Sequence, residues 1–147
     1  MKTLYELQEK VASGHTVAPI ADLLGVDIVA VEVGKVTVAI DIKPEHYNPM
    51  GTLHGGVICD IADMAMGLTL FSVLEEGELF TTIELKLNFL KPIWSGRLTA
   101  EGRIIKKGKK IALLESTVVD EVGSIVAHST SSLMIIVGDE EGRRTKI

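Results

Sequence analysis

Residues 55–71 read GGVICDIADMAMGLTLF, and this stretch decides the architecture. Its apolar residues occupy almost the whole circumference of the helix they predict, not a single stripe, and a helix of that kind must be enclosed by other structure. From Val57 to Phe71 the run is shorter than the ~20 residues a bilayer crossing needs, and it carries Asp60 and Asp63, so it is not a membrane span. Working outward, the flanks read mostly as β-structure. Upstream, PEHYNPMGTL (44–53) is a turn-rich loop, because two prolines and Gly51 interrupt any strand. Before it, from Val26, the pattern has period two: Ile28, Ala30 and Glu32, a turn at Gly34, then Val36, Val38, Ile40 and Ile42. This predicts a hairpin. Residues 2–12 space Leu4, Tyr5, Leu7 and Val11 as one short amphipathic helix, and a loop with Gly14 and Pro19 follows.

Downstream, Thr82, Glu84, Lys86 and Asn88 alternate with Ile83, Leu85, Leu87 and Phe89 in a strand closed by Lys91-Pro92. Further strands are predicted at 97–106, 110–119 and 124–137, with turns at 107–109 and 121–123. Residues 138–147 read as a frayed tail. About six strands around one greasy helix make an α+β domain spanning 1–147, an antiparallel sheet wrapped around one long central helix.

The chain of 147 residues is 46% apolar and 24% charged, which suits one domain with a substantial core. Cys59 is the single cysteine, which excludes an intrachain disulfide framework. A net charge of −5 disfavours nucleic acid as a partner. The opening MKTLYELQEK lacks an export-type apolar core, so a cytoplasmic, non-membrane protein is expected.

Two features carry chemistry. Asp60 and Asp63 are the only charges between Gly55 and Glu75 and share one side of the helix. A buried unpaired carboxylate is costly, so each must reach solvent, a partner or a substrate. Just before the helix, Asn48-Pro-Met-Gly51-Thr-Leu-His54-Gly55-Gly56 places glycines where first-turn N–H groups can approach a ligand and stabilise a developing oxyanion. His54 and Asp63 lie nine residues apart, ~13 Å along a helix axis. If both serve one reaction, the acid of one subunit must face the helix start of another, which predicts a two-fold dimer with two equal sites.

The pattern N-x-x-G-x-x-H-G-G with an acid nine positions after the His (Asn48, Gly51, His54, Gly55, Gly56, Asp63) resembles the phenylacetate-pathway (PaaI-like) branch of the hotdog-fold acyl-CoA thioesterases. The resemblance extends over about residues 20–137. It implies a hotdog fold, a dimer that pairs into a tetramer, and hydrolysis of a coenzyme A thioester with no separate cofactor, coenzyme A being part of the substrate. By position, Asp63 matches the carboxylate that acts as general base or nucleophile. Gly55 matches the backbone donor to the thioester carbonyl, with Gly56 beside it at the substrate. Asn48 and His54 match side chains that orient the thioester and water, and Thr82 a Ser/Thr that orients the nucleophilic water.

A carboxylate and one preorganised donor suffice for a thioester, and there is no G-x-S-x-G elbow to suggest another route. Cys59, among Val57, Ile58, Ile61 and Ala62, reads as an inert core thiol. The histidines at 15, 46, 54 and 128 lack metal-ligand spacing, so no metal is expected. RIIKKGKK (103–110) is a local cationic segment in which Arg103, Lys107 and Lys109 are candidates for coenzyme A phosphates. Met64, with Leu68 or Phe71, is a candidate to meet the acyl group. The competing readings are a hotdog hydratase-dehydratase of enoyl or 3-hydroxyacyl thioesters and a non-catalytic acyl-CoA sensor.

Overall fold

The computed structural model describes residues 2–14 and 18–138. Helix α1 (Lys2–Ala12) buries Leu4 and Leu7. A short helix α2 (Pro19–Leu24) leads into the hairpin of β1 (Val26–Glu32) and β2 (Lys35–Asp41), which turns at Gly34 with φ +72°. A single 3₁₀ turn (Pro44–His46) and a loop precede the long helix α3 (Gly55–Phe71). Strands β3 (Glu78–Phe89), β4 (Arg97–Lys107), β5 (Ile111–Val119) and β6 (Ile125–Val137) complete the chain.

One antiparallel sheet results, in the order β1-β2-β4-β5-β6-β3. Strands β2 and β3 are consecutive in sequence yet stand four places apart, so α3 carries the chain across the sheet and lies against its inner face. Ile61, Ala62, Ala65, Met66 and Leu70 of α3 are buried in one cluster with inward residues such as Val38, Leu98, Leu114 and Leu133. This is the sheet-around-helix arrangement of the hotdog fold. Among the described residues, no helix is long and apolar enough to cross a membrane.

The helix can approach this closely because β4 carries Gly102 beneath it. A Cβ there would lie 2.5 Å from both the Ala65 carbonyl oxygen and Thr69 Oγ1. In the space left open, Thr69 Oγ1 accepts the Val36 N–H at 3.0 Å, and one turn on Ser72 Oγ accepts the Gly34 N–H at 2.9 Å. These two bonds, the first fully buried, pin the end of α3 to the first hairpin.

Two local expectations change. The segment around Pro19 is a helix, not a loop: Pro19 opens it, and Gly25, at φ +76°, closes it by donating its N–H to Ala21 O and Asp22 O. Six residues burying only Ala21 are too few to show a helical period. The second change concerns β3, which begins at Glu78 and carries a bulge between Thr82 and Glu84. Strict alternation would put those two residues on the same face. Instead Thr82 pairs with buried Leu133, while Glu84 pairs with Ser132 on the other face. Of the tail predicted to fray, residues 139–147 lie outside the described residues, whereas Gly138 donates its N–H to Gly77 O at 2.8 Å.

Candidate active site

The sequence-predicted residues fall into two groups, both attached to α3. The first sits at the helix start. His54 is the N-cap: its Nδ1 accepts the Gly56 N–H at 2.8 Å, and its own N–H goes to His46 O. With Nδ1 accepting, the ring proton sits on Nε2. The same bond means that the Gly56 N–H, expected at the substrate, is already taken by His54. The Gly55 N–H differs, because no hydrogen bond in the described residues occupies it. It is a first-turn donor at the positive end of the helix dipole. The ring of Phe89 covers Gly55 so closely that a Cβ would lie 2.9 Å from its Cζ.

Asn48 shapes the loop that delivers this group. Its Oδ1 accepts from the N–H groups of Met50 (2.9 Å) and Thr52 (3.2 Å), and its Nδ2 donates to Thr52 Oγ1 at 2.7 Å. The side chain is therefore turned into its own loop and not onto an acid of the same chain. Gly51, at φ +80°, is the residue that permits the turn.

The second group lies two turns along α3. The bulge in β3 aims Thr82 inward, and its Oγ1 donates to Asp63 Oδ1 at 3.1 Å. Burial pushes the Asp63 carboxyl above the ordinary carboxylate range; the Thr82 bond pulls it down, and the charge of Asp60 pushes it up. Asp60 is also raised by burial, but it is more exposed and has no comparable hydrogen-bond donor. These differences separate two acids that sequence spacing alone leaves equivalent. The same burial, with the charges of Asp60 and Asp63, pushes the Cys59 thiol up and leaves it a poor nucleophile.

Asp63 opens onto a cavity of about 380 Å³, within the range of small-molecule sites. Its floor is one face of α3: Asp60, Asp63 and Met64, then Gly67, Leu68 and Phe71. Met64, Leu68 and Phe71 thus all line the space next to the acid. Sequence reasoning missed the other walls, which are Phe80 of β3 and the N-terminal residues Leu7, Lys10, Ala18 and Ile20. Only Gly67, a lone glycine inside a helix, offered a signal, since such a residue needs a packing reason.

The basic segment does not join either group. Arg103 lies on the outer sheet face in register with Glu115 and bonds Glu101 at 2.7 Å. Lys107 lies near Glu78, 3.9 Å away at the start of β3, and Lys109 is in the turn after β4. Strand alternation turns the Arg103 side chain to the sheet face opposite α3 and Asp63. Among the described residues, no group of three or more His, Cys, Asp or Glu could hold a metal ion.

Comparison with known proteins identifies the family. Residues 50–127 match the family described as the thioesterase superfamily. A protein of Saccharolobus solfataricus that carries the name of an esterase is 34% identical over 113 residues, covering 77% of this chain and 80% of that one. The 1,4-dihydroxy-2-naphthoyl-CoA hydrolase of Listeria monocytogenes is 28% identical, covering 78% and 93%. The structure of the PaaI protein of the Escherichia coli phenylacetic acid degradation operon shares the fold, with a TM-score of 0.81 at 22% identity over 93% of this chain and 96% of that one. On that family match and the 34% identical relative, together with the sheet-wrapped helix of the fold, the chain belongs to the thioesterase superfamily as a hotdog thioester hydrolase.

Proposed function

We propose that the protein hydrolyses acyl-CoA thioesters as a two-fold dimer, Asp63 of each protomer working against the helix start of the other. The observation that carries this is the separation of the two groups. Asp63 with Thr82, and the unpaired Gly55 N–H, are the chemically competent halves of one site, yet the axis of α3 holds them ~12 Å apart within a chain.

The sheet supplies a way to bring the halves together. Strand β3 is an edge strand of 12 residues whose outer backbone edge pairs with no other strand among the described residues, and Ile83 on it is 50% exposed. Asp63 lies against Thr82 of β3, and Gly55 lies against Phe89 of the same strand. Antiparallel pairing of two β3 edges centred on Lys86, with the bulge between Thr82 and Glu84 counted, sets Thr82 of one chain opposite Phe89 of the other. Asp63 then faces the partner's Gly55, and both sites form at once.

In such a site the thioester oxygen accepts the partner's Gly55 N–H, where the helix dipole stabilises the oxyanion that develops. Asp63 takes a proton from water as the water attacks the carbonyl carbon. The carbon–sulfur bond breaks, and the proton passes to the departing thiolate, giving free acid and coenzyme A. A carboxyl raised by burial is a stronger base than an ordinary one, and Thr82 fixes one of its oxygens so that the other addresses the water. His54 offers Nε2–H as a second donor near the carbonyl. No separate cofactor is required. Support for coenzyme A as the carrier comes from the naphthoyl-CoA hydrolase relative.

Two inactive variants test the shared site. Asp63→Asn removes the base. Gly55→Pro removes the donor at a helix start whose backbone admits proline, after a His54 already at φ −65°, ψ 131°, and because its ring must also displace that of Phe89, Gly55→Ala serves as the control that crowds Phe89 with the N–H kept. Each alone should lose on the order of 100-fold or more in kcat for thiol release from acyl-CoA. Co-refolded in equal amounts, they should recover about one quarter of wild-type activity, because half the dimers contain one intact site. No recovery from correctly folded dimers would show that acid and donor do not meet across an interface.

A further inference from the structure

The cavity beside Asp63 contains walls that the reaction itself does not explain, and those walls have a graded chemistry. At one end stand the two carboxylates. Beyond Asp63 the floor becomes Gly67, Leu68 and Phe71, and charge disappears apart from Lys10 at the exposed rim. From Asp63 to Phe71 is eight residues, ~12 Å along α3. Two elements outside the helix close this apolar reach. Phe80 stands on β3, its ring filling the place of a side chain at position 67: a Cβ on Gly67 would lie 3.0 Å from Phe80 Cζ and 3.1 Å from Cε2. Leu7 of α1, with Ala18 and Ile20 at the start of α2, forms the facing wall. That wall lies outside residues 50–127, the part of the chain matched by the superfamily.

We infer that this cavity measures the acyl group, with the Gly67–Phe80 contact setting its depth and Ile20 of the N-terminal segment setting the character of its side wall. The inference rests on the reading of Asp63 as the acid at the thioester carbonyl. A thioester placed there directs its acyl group along α3, since the other direction meets Asp60. The substrate class is then an extended apolar acyl group with a reach of about ten carbons in a zigzag chain. A short acyl group leaves the apolar floor wetted, and each added methylene that replaces that water gains about three- to fourfold in kcat/KM. The gain stops at Phe71.

Gly67 carries the argument for depth. A side chain there and the Phe80 ring cannot share the space, so the size of one determines where the other lies. Gly67→Ala pushes the ring toward Phe71 and shortens the cavity; Phe80→Ala removes the ring and lengthens it. Ile20→Asn leaves the depth alone and makes the wall polar.

The test is the kcat/KM profile of each purified, folded protein over straight-chain acyl-CoAs from acetyl to palmitoyl, read as free thiol. Wild type should climb about three- to fourfold per methylene to a break near ten carbons. The break should move to shorter chains in Gly67→Ala and to longer chains in Phe80→Ala, while Ile20→Asn should flatten the slope. If Phe80→Ala does not fold, Phe80→Leu replaces it, with a smaller shift in the same direction. A break that stays in place in both depth variants overturns the inference while leaving the thioesterase intact. Failure of folded wild-type protein to release thiol from any member of the panel overturns the function on which the inference rests.

Discussion

Gly102→Ala is the substitution whose cost the structure determines most directly. The new methyl would lie 2.5 Å from the Ala65 carbonyl oxygen, 2.5 Å from Thr69 Oγ1 and 2.7 Å from the Ala65 carbonyl carbon. Two of those atoms are helix backbone and cannot rotate aside. Ordinary contact is about 3.5 Å, so α3 must withdraw from β4 by about an ångström. Overpacking of this kind costs about 1–3 kcal/mol. Withdrawal also strains the Thr69–Val36 bond, and an unpaired buried N–H costs about 1–3 kcal/mol more. The lower backbone entropy of alanine in the unfolded chain returns about 0.4–1 kcal/mol. The net loss is about 2–5 kcal/mol, which for a domain of this size lowers Tm by roughly 5–15 °C. Urea and thermal unfolding, run at one fixed protein concentration because association also stabilises, would measure it. Thr69→Val isolates the hydrogen bond and should account for about 1–3 kcal/mol of the total. Because α3 carries Asp63, kcat should fall together with stability. A Gly102→Ala protein within about 0.5 kcal/mol of wild type would refute the account of how α3 seats on the sheet.

The acid group yields three further expectations. Thr82→Val removes the bond that holds the Asp63 carboxyl down, so the acid limb of the kcat/KM profile should move to higher pH; a limb that stays put would mean that Thr82 does not act through the carboxylate. Asp60→Asn removes a charge that pushes Asp63 up, so the limb should move the other way, and movement in the same direction would contradict the electrostatics assigned to the pair. Asp63→Asn should gain stability at neutral pH while losing activity. A carboxyl raised in the folded state binds its proton more tightly there than in the unfolded chain, so the wild type loses stability as pH rises through the window between the two values. The advantage of the Asn variant, read from urea midpoints, should therefore shrink toward zero in acid, and an advantage that grows in acid would reverse the sign assigned to burial.

What could be read from the sequence followed the strength of its periodic signals. The all-round apolarity of 55–71 announced an enclosed helix, and alternating runs located the strands to within a few residues, because both patterns express burial directly. The features that escaped reading depend on local geometry. Period two put Thr82 with Glu84, and one bulged residue moved it to the face of Asp63. The helix at Pro19 was too short to show a period, and with it the wall made by Ala18 and Ile20 went unseen. Arg103 belonged to a run of charges legible as a cluster in one dimension, but a strand sends alternate side chains to opposite faces, and Arg103 points outward to Glu101.

The division of the site has a physical origin in α3 itself. An oxyanion donor of this kind exists only at a helix start, where N–H groups lack intrahelical partners. A carboxylate with a raised pKa needs burial, and on an enclosed helix burial increases away from the end. One helix can therefore supply both groups, but not at the same place along its axis. His54 sharpens the first requirement by taking up the Gly56 N–H and leaving that of Gly55 unoccupied. Thr82 sharpens the second by holding Asp63 Oδ1 at the cavity. Both groups rest on β3, seven residues apart, and among the described residues the backbone of that strand is left unpaired along its outer edge. An antiparallel partner reverses the order of everything resting on the strand, so a second copy of this chain sets acid against donor twice. On this argument dimerisation completes the catalytic site, and a surface substitution that blocks β3 pairing, such as Ile83→Pro, should abolish thiol release even where each chain remains folded.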